Sequence, residues 1–229
     1  MATQFEFPPP PVVSVPVEGS DKSFAVRRIY CVGRNYAAHV REMGGNEREP
    51  PFFFQKPADA IVLDGAVVPY PPFTQDFQHE IELVLAIGAP GAEIAQQAAR
   101  GHVFGLAVGV DLTRRDVQIE ARKGGQPWEI GKAFDHSAPI SAITPLGDRP
   151  LPTKGEISLS VNGAVKQKGD LAELIWGCAE VVAELSRQYR LMPGDLIYTG
   201  TPAGVGPIVR GDTVEGRVEG VGALRFSVA

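Results

Sequence analysis

Apolar residues in this chain recur mostly in short runs with strand-like spacing, bounded by Gly, Pro, Asn and Asp. "RRIYCVG" (27–33) and "PFFFQK" (51–56) have the composition of strands. "IVLDGAVVPY" (61–70) predicts a hairpin turning at Asp64-Gly65, and "ISLSVNGAVKQ" (157–167) predicts another turning at Asn162-Gly163. "GHVFGLAVGVDLT" (101–113) predicts a long apolar strand that ends in an acid. Helical spacing is clear in two places. Leu171, Leu174, Ile175, Cys178, Val182 and Leu185 form one apolar stripe, which predicts a helix capped by Asp170 with Glu173 completing a capping box. "TRRDVQIEARKGG" (113–125) predicts a second helix, with Thr113 as cap, Asp116 as its box partner and a stop at the glycine pair. Many strands, few helices and no βαβ alternation give a β-rich α+β fold class.

One stretch breaks the pattern. In "QHEIELVLAIG" (78–88), strand alternation places Glu80 and Glu82 on the same face as Val84 and Ala86. Their Cα atoms are then about 6.5–7 Å apart, close enough for both carboxylates to reach one ion. An isolated pair of this kind is ordinarily the solvent face of an antiparallel strand. Here the opposite face (Ile81, Leu83, Leu85, Ile87) is apolar too, so charges on this strand need a counter-ion or a cavity. Asp111 ends the apolar run "VFGLAVGV", either as a turn residue before the helix or as a third acid of the same group. Three acids at apolar strand ends make an all-oxygen site for a hard divalent cation. No His or Cys stands at the spacing a zinc site needs.

Composition narrows the classes. A chain of 229 residues suits one large domain, read here as a catalytic body over 26–229 behind a proline-rich N-terminal arm over 1–25. A net charge of −5 offers no basic footprint for nucleic acid, and no apolar run approaches the ~20 residues of a membrane helix. The start lacks a basic segment followed by an apolar one, so it is not read as a secretory signal, and the expected location is cytoplasmic. Cys31 and Cys178 stand far apart, as expected of buried, reduced thiols.

Other candidate chemistry is weaker residue by residue. In "GRNYAAHVREMG" (33–44), His39 and Glu42 share a face of one helical turn, either as a proton-passing dyad or as an exposed turn. Lys132 sits among apolar and small residues, although a surface lysine is the usual reading. "YTGTPAGVGP" (198–207) lacks the G-K-[ST] ending of a phosphate loop and is better read as a tight loop.

Together, "CVGRNYAAHVREMG", "FFFQKPADAIV", "HEIELVLAIG", "GVDLTRRDVQ", "QPWEIGKAFD" and "GDLIYTGTPAGVGP" resemble the fumarylacetoacetate hydrolase superfamily, most closely its acylpyruvate hydrolase branch. The resemblance runs from about residue 26 to the C-terminus. It implies a mixed β-sandwich or roll with a few short helices, like the C-terminal domain of that family, a homodimer, and Mg2+ or Mn2+ as cofactor. Carried over residue by residue, it implies Glu80, Glu82 and Asp111 as metal ligands and His39, Glu42 and Lys132 as catalytic groups. Arg115, Gln118 and Thr201 then become substrate contacts. The implied reaction is hydrolysis of a carbon–carbon bond in 2,4-dioxo acids, with fumarylpyruvate, from gentisate-type aromatic catabolism, the expected substrate. Oxaloacetate decarboxylation or hydroxymuconate-type isomerisation at the same metal is the alternative, and a non-enzymatic, metal-stabilised binding module a remote one. For the acyl end, Arg34, Arg41 and Arg122 each offer a clamp for a second carboxylate, and the sequence does not choose among them.

Overall fold

The dominant sheet is mixed and eight-stranded. It contains β3 (Arg28–Gly33), β4 (Phe52–Lys56), β5 (Ile61–Leu63), β8 (Ile81–Ile87), β9 (Val103–Val110), β11 (Ala138–Ile140), β12 (Thr144–Pro145) and β15 (Asp195–Tyr198). Their order is β4-β3-β15-β8-β9-β11-β5, with β12 also paired to β9, in a computed structural model that describes residues 4–36 and 49–229. A five-stranded sheet, β14-β13-β17-β18-β6, covers one side; it comprises β6 (Val67–Val68), β13 (Glu156–Val161), β14 (Ala164–Asp170), β17 (Thr213–Val218) and β18 (Gly222–Val228). Two small sheets complete the strands. One pairs β1 (Ser14–Pro16) with β2 (Ser23–Ala25), and the other joins β7 (Phe77–His79), β10 (Thr113–Arg114) and β16 (Gly206–Pro207). The helices are α1 (Arg115–Lys123), α2 (Glu129–Lys132) and α3 (Cys178–Gln188), and none among the described residues is long and apolar enough to cross a membrane. The architecture is the strand-rich α+β roll expected of the sequence.

Every residue of β8 is buried, and its two faces feed two cores. Ile81, Leu83, Leu85 and Ile87 pack outward against the five-stranded sheet and α3, where Cys178 also lies. Val84 and Ala86 join an inner core with Cys31, Phe54, Ala107 and Tyr198. The sheet curls around that inner core. Four strand spacings separate β4 from β9, about 19 Å if flat, yet Lys56 of β4 lies 2.8 Å from Asp111 just past β9. Small residues permit the curl: a Cβ on Gly109 of β9 would lie 2.5 Å from the Tyr198 ring.

Several local expectations hold. Strands form over 28–33, 52–56 and 103–110, and the β13–β14 hairpin turns at Asn162-Gly163, both at positive φ (52° and 78°). Others do not. Asp64-Gly65 is a turn, but β5 leaves it to pair with β11 and β6 to pair with β18, so the flanking strands belong to different sheets. The helix expected from Asp170 onward is split. Asp170 and Glu173 do form a capping box, but it caps a single 3-10 turn, and α3 starts only at Cys178. The intervening residues stay extended because Leu174 bridges Tyr36, Ile175 N donates to Asn35 O (2.9 Å) and Trp176 N donates to Asn35 Oδ1 (2.8 Å). Thr113 does not cap α1, since it belongs to β10; Asp116 accepts instead from Thr74 Oγ1 and Gln75 N, tying the helix to the segment before β7. The N-terminal segment divides. Residues 14–25 form β1 and β2, with Val15 wholly buried in the inner core and Pro16 O accepting from Ile143 N (2.8 Å).

Candidate metal and substrate site

Strand directions bring the chemistry to one edge of the large sheet. β3 runs parallel to β15, β8 antiparallel to β15, and β9 antiparallel to β8. The C-terminal ends of β3, β15 and β9 therefore meet the N-terminal end of β8. Glu82 enters there from β8, Glu80 just precedes β8, Asp111 follows β9, and Thr201 follows β15. The cleft they line also receives Arg34, Arg115, Gln118, Trp128 and Lys132.

Carboxylate oxygens of Glu80, Glu82 and Asp111 lie within 4.8 Å of one another, and all three residues are buried. Three cations neutralise two of them. Lys132 Nζ donates to Glu80 Oε2, Asp111 Oδ2 and Thr113 Oγ1, each at 2.7 Å. Arg115 pairs with Glu80 and also donates to Gln78 Oε1 (2.8 Å) and Gln118 Oε1 (2.6 Å). Lys56 forms an ion pair with Asp111 Oδ1 while its protons go to the carbonyls of Leu112 (3.1 Å) and Lys132. Burial disfavours the Lys132 ammonium, but Asp111 and Glu80 outweigh it and hold its pKa above the usual lysine value. Burial likewise opposes Glu80 ionisation, yet Lys132 and Arg115 pull its pKa well below the ordinary carboxylate range.

Glu82 is different. Among the described residues it has no cation partner, and its one hydrogen bond comes from Gly200 N (2.7 Å). Burial, then the charges of Asp111 and Glu80, push its pKa well up. Gly200 aims its N–H from a φ of +101°, and a Cβ there would lie 2.7 Å from Asn35 Cβ, so glycine is required. A buried carboxyl held against ionisation by two neighbouring acids, within reach of both, fits a divalent cation: the ion supplies the missing positive charge, and all-carboxylate donors suit a hard metal.

Thr201 is fixed from behind. Gln167 Oε1 accepts from Ile81 N (3.1 Å), and Gln167 Nε2 donates to Pro202 O (2.9 Å), so two backbone groups settle which way the amide faces. Nε2 therefore donates to Thr201 Oγ1 (2.8 Å), leaving the threonine proton free for the cleft. His79 Nδ1 lies 2.8 Å from the same Oε1, and burial keeps its imidazole pKa below the usual histidine value, so it is neutral and donates from Nδ1.

Eight of the sequence candidates thus line one cleft: Arg34, Glu80, Glu82, Asp111, Lys132, Arg115, Gln118 and Thr201. His39 and Glu42 lie outside the described residues. Lys132 is not the surface lysine that is usual for the residue type; it is 2% exposed. Lys56 and Gln167 carry no motif of their own. The available signal for Lys56 is a lysine closing a strand that opens on three phenylalanines; for Gln167, a polar residue at an inward hairpin position.

The family model for the fumarylacetoacetate (FAA) hydrolase C-terminal region matches residues 28–229. The chain is 45% identical over 180 residues to a fumarylpyruvate hydrolase of a Ralstonia species, covering 79% of this chain and 93% of that protein. It is 40% identical over 202 residues to the mitochondrial oxaloacetate tautomerase FAHD1 of Mus musculus, covering 88% and 91%. Among solved structures, the fumarylpyruvate hydrolase of Pseudomonas aeruginosa in complex with Mn2+ and pyruvate superposes with a TM-score of 0.96 at 51% identity, covering 99% of each chain.

Proposed function

Because the chain belongs to the fumarylacetoacetate hydrolase family, we propose that it is a metal-dependent hydrolase that cleaves a carbon–carbon bond in acylpyruvates, with fumarylpyruvate, split to fumarate and pyruvate, as its substrate. The observation that carries the reading is the buried acid triad of Glu80, Glu82 and Asp111, set in a cleft that also presents Lys132, Arg115 and Thr201. Mg2+ or Mn2+ suits the triad, and a bound ion of this kind supplies Lewis acidity toward the 2-oxo acid end of the substrate.

The chain's own residues account for the rest. Arg115 and Gln118 orient the substrate carboxylate, and Thr201 donates its free hydroxyl proton to the same end. His39 and Glu42 take a proton from water, whose oxygen adds to the distal carbonyl carbon. The bond between that carbon and the pyruvate methylene then breaks, and its electron pair passes to the pyruvate fragment as an enolate. Lys132 stays charged through the physiological range, so it acts as a fixed positive charge beside the enolate rather than as a base. Protonation at the methylene carbon gives pyruvate, and the acyl fragment leaves as its acid.

Loss of the enol absorbance of fumarylpyruvate, followed with Mg2+, with Mn2+ and after EDTA dialysis, tests the reading. Metal-dependent pyruvate release is the expected result; turnover that EDTA leaves unchanged contradicts it. Oxaloacetate chemistry is the second reading, favoured by the tautomerase relatives, and a panel in which oxaloacetate alone reacts would select it. The chain acts in the cytoplasm as a homodimer. In support, Phe5, Phe7 and Val12 on the arm are 64%, 79% and 75% exposed, a costly arrangement for an isolated chain. Light scattering at micromolar concentration should give twice the chain mass; a monomer mass refutes the assembly.

A further inference from the structure

The end of the cleft away from the acid triad is built around Arg34. Its backbone lies at φ +58°, a left-handed conformation uncommon outside glycine. The next residue holds it there: Asn35 is 1% exposed, and its side chain donates to Thr199 O (2.8 Å) and Trp176 O (2.9 Å) and accepts from Trp176 N. With the backbone so determined, the Arg34 side chain lines the cleft. Its guanidinium carbon stands 6.0 Å from the Phe52 ring centre and 5.8 Å from that of Trp128, two rings that meet edge-on at 4.8 Å. Phe52 reaches this position because its ring lies across Gly33, where a Cβ would fall 2.0 Å from a ring carbon. The aromatic corner supports the cation while leaving its hydrogen-bonding edge uncommitted.

Among the described residues that edge has no partner: no carboxylate lies within ion-pair distance of Arg34, and its Nε is buried with no hydrogen bond. Burial, and then the like charge of Arg122, lower its pKa, with the charge of Glu49 opposing. The cleft therefore holds the acid triad with its own cations and, apart from them, a guanidinium that is unpaired among the described residues. β15 alone separates β3, which leads into Arg34, from β8, which carries Glu82, so the two backbones that flank the cleft are two strand spacings apart.

On the reading of the site given above, we propose that Arg34, braced by Phe52 and Trp128, is a specificity residue that receives a second carboxylate at the acyl end of the substrate. The preferred substrates are then acylpyruvates whose acyl group itself ends in a carboxylate, and neutral acyl groups leave the guanidinium unpaired. Of the three arginines the sequence offers for this clamp, Arg34 is the one that lines the cleft, Arg122 acts on it as a like charge, and Arg41 lies outside the described residues.

The test compares kcat/KM for fumarylpyruvate and for acetylpyruvate, which lacks the second carboxylate, in the wild type, Arg34→Met and Arg34→Lys. Met keeps the aliphatic stem against the two rings and removes the charge. Arg34→Met should lose about a hundredfold on fumarylpyruvate, mostly in KM, the scale of a charged hydrogen-bonded pair. It should change less than about threefold on acetylpyruvate, and Arg34→Lys should fall between. Equal losses on both substrates, or no loss on fumarylpyruvate, overturn the assignment. A wild type that hydrolyses no acylpyruvate defeats the proposed reaction instead. Fumarate binding by calorimetry then still decides on Arg34: binding by the wild type that Arg34→Met lacks supports it, and equal binding, or none by the wild type, overturns it.

Discussion

Glu82 carries the clearest consequence at the scale of a single residue. Its folded-state pKa is raised, so protonation favours the metal-free fold. That contribution is fully present below the ordinary carboxylate range and is lost as pH rises through the raised value. A cation needs the ionised form, so metal and proton compete: apparent metal affinity should fall as pH is lowered through the raised pKa, and binding near it should release a proton. Titration calorimetry in buffers of different ionisation enthalpy reads that proton, and a buffer-independent heat contradicts the competition. Glu82→Gln should keep or raise metal-free stability, because it removes a buried repulsion with Asp111 and Glu80, while abolishing metal binding and turnover. An unfolded Glu82→Gln chain, or one with wild-type activity, argues against the assignment. Glu80 and Glu82 were legible in the sequence because both faces of their strand are apolar, which left the charges no solvent face. Lys56 was not, because a lysine at a strand end is ordinarily solvated and only the curl of the sheet carries it to Asp111.

Elements were legible where local signals suffice and illegible where a partner decides. The Asn162-Gly163 hairpin is set by its own turn, so it forms as expected. Asp64-Gly65 makes a turn of similar type, but its flanking strands pair in different sheets, β5 with β11 and β6 with β18. Similarly, the stripe from Leu171 to Leu185 has helical spacing throughout, yet Asn35 and Tyr36, far away in sequence, hold its middle extended. Hairpin β13–β14 brings a testable consequence to the site, since it delivers Gln167 behind Thr201. Gln167→Leu frees the Thr201 hydroxyl to turn away from the cleft and should lower kcat/KM about tenfold, the worth of one aligned hydrogen bond. In a Thr201→Val background the same substitution should cost less than about twofold, because the effect passes through that hydroxyl. Additive losses in the double variant show that Gln167 acts by some other route.

At the scale of the whole molecule, resemblance along the chain reached the family and the roll-like fold, whereas the curl and the two cores it creates came only from the structure. The division into an inner and an outer core places one cysteine in each: Cys31 inside the curled sheet, Cys178 at the start of α3. Burial pushes the Cys178 thiol up to about 12 and holds the Cys31 thiol well above its ordinary value, so neither reacts while its core stays closed. The molecule therefore carries two internal clocks. Under native conditions, the rate at which a thiol reagent modifies each cysteine reports how often that core opens, and denaturant dependence reports how much surface each opening exposes. Since β8 packs into both cores through its alternating sides, the two clocks should run at the same opening free energy within about 1 kcal/mol. If Cys178 is modified far faster than Cys31, the helix-bearing layer peels from the roll as a separate cooperative unit.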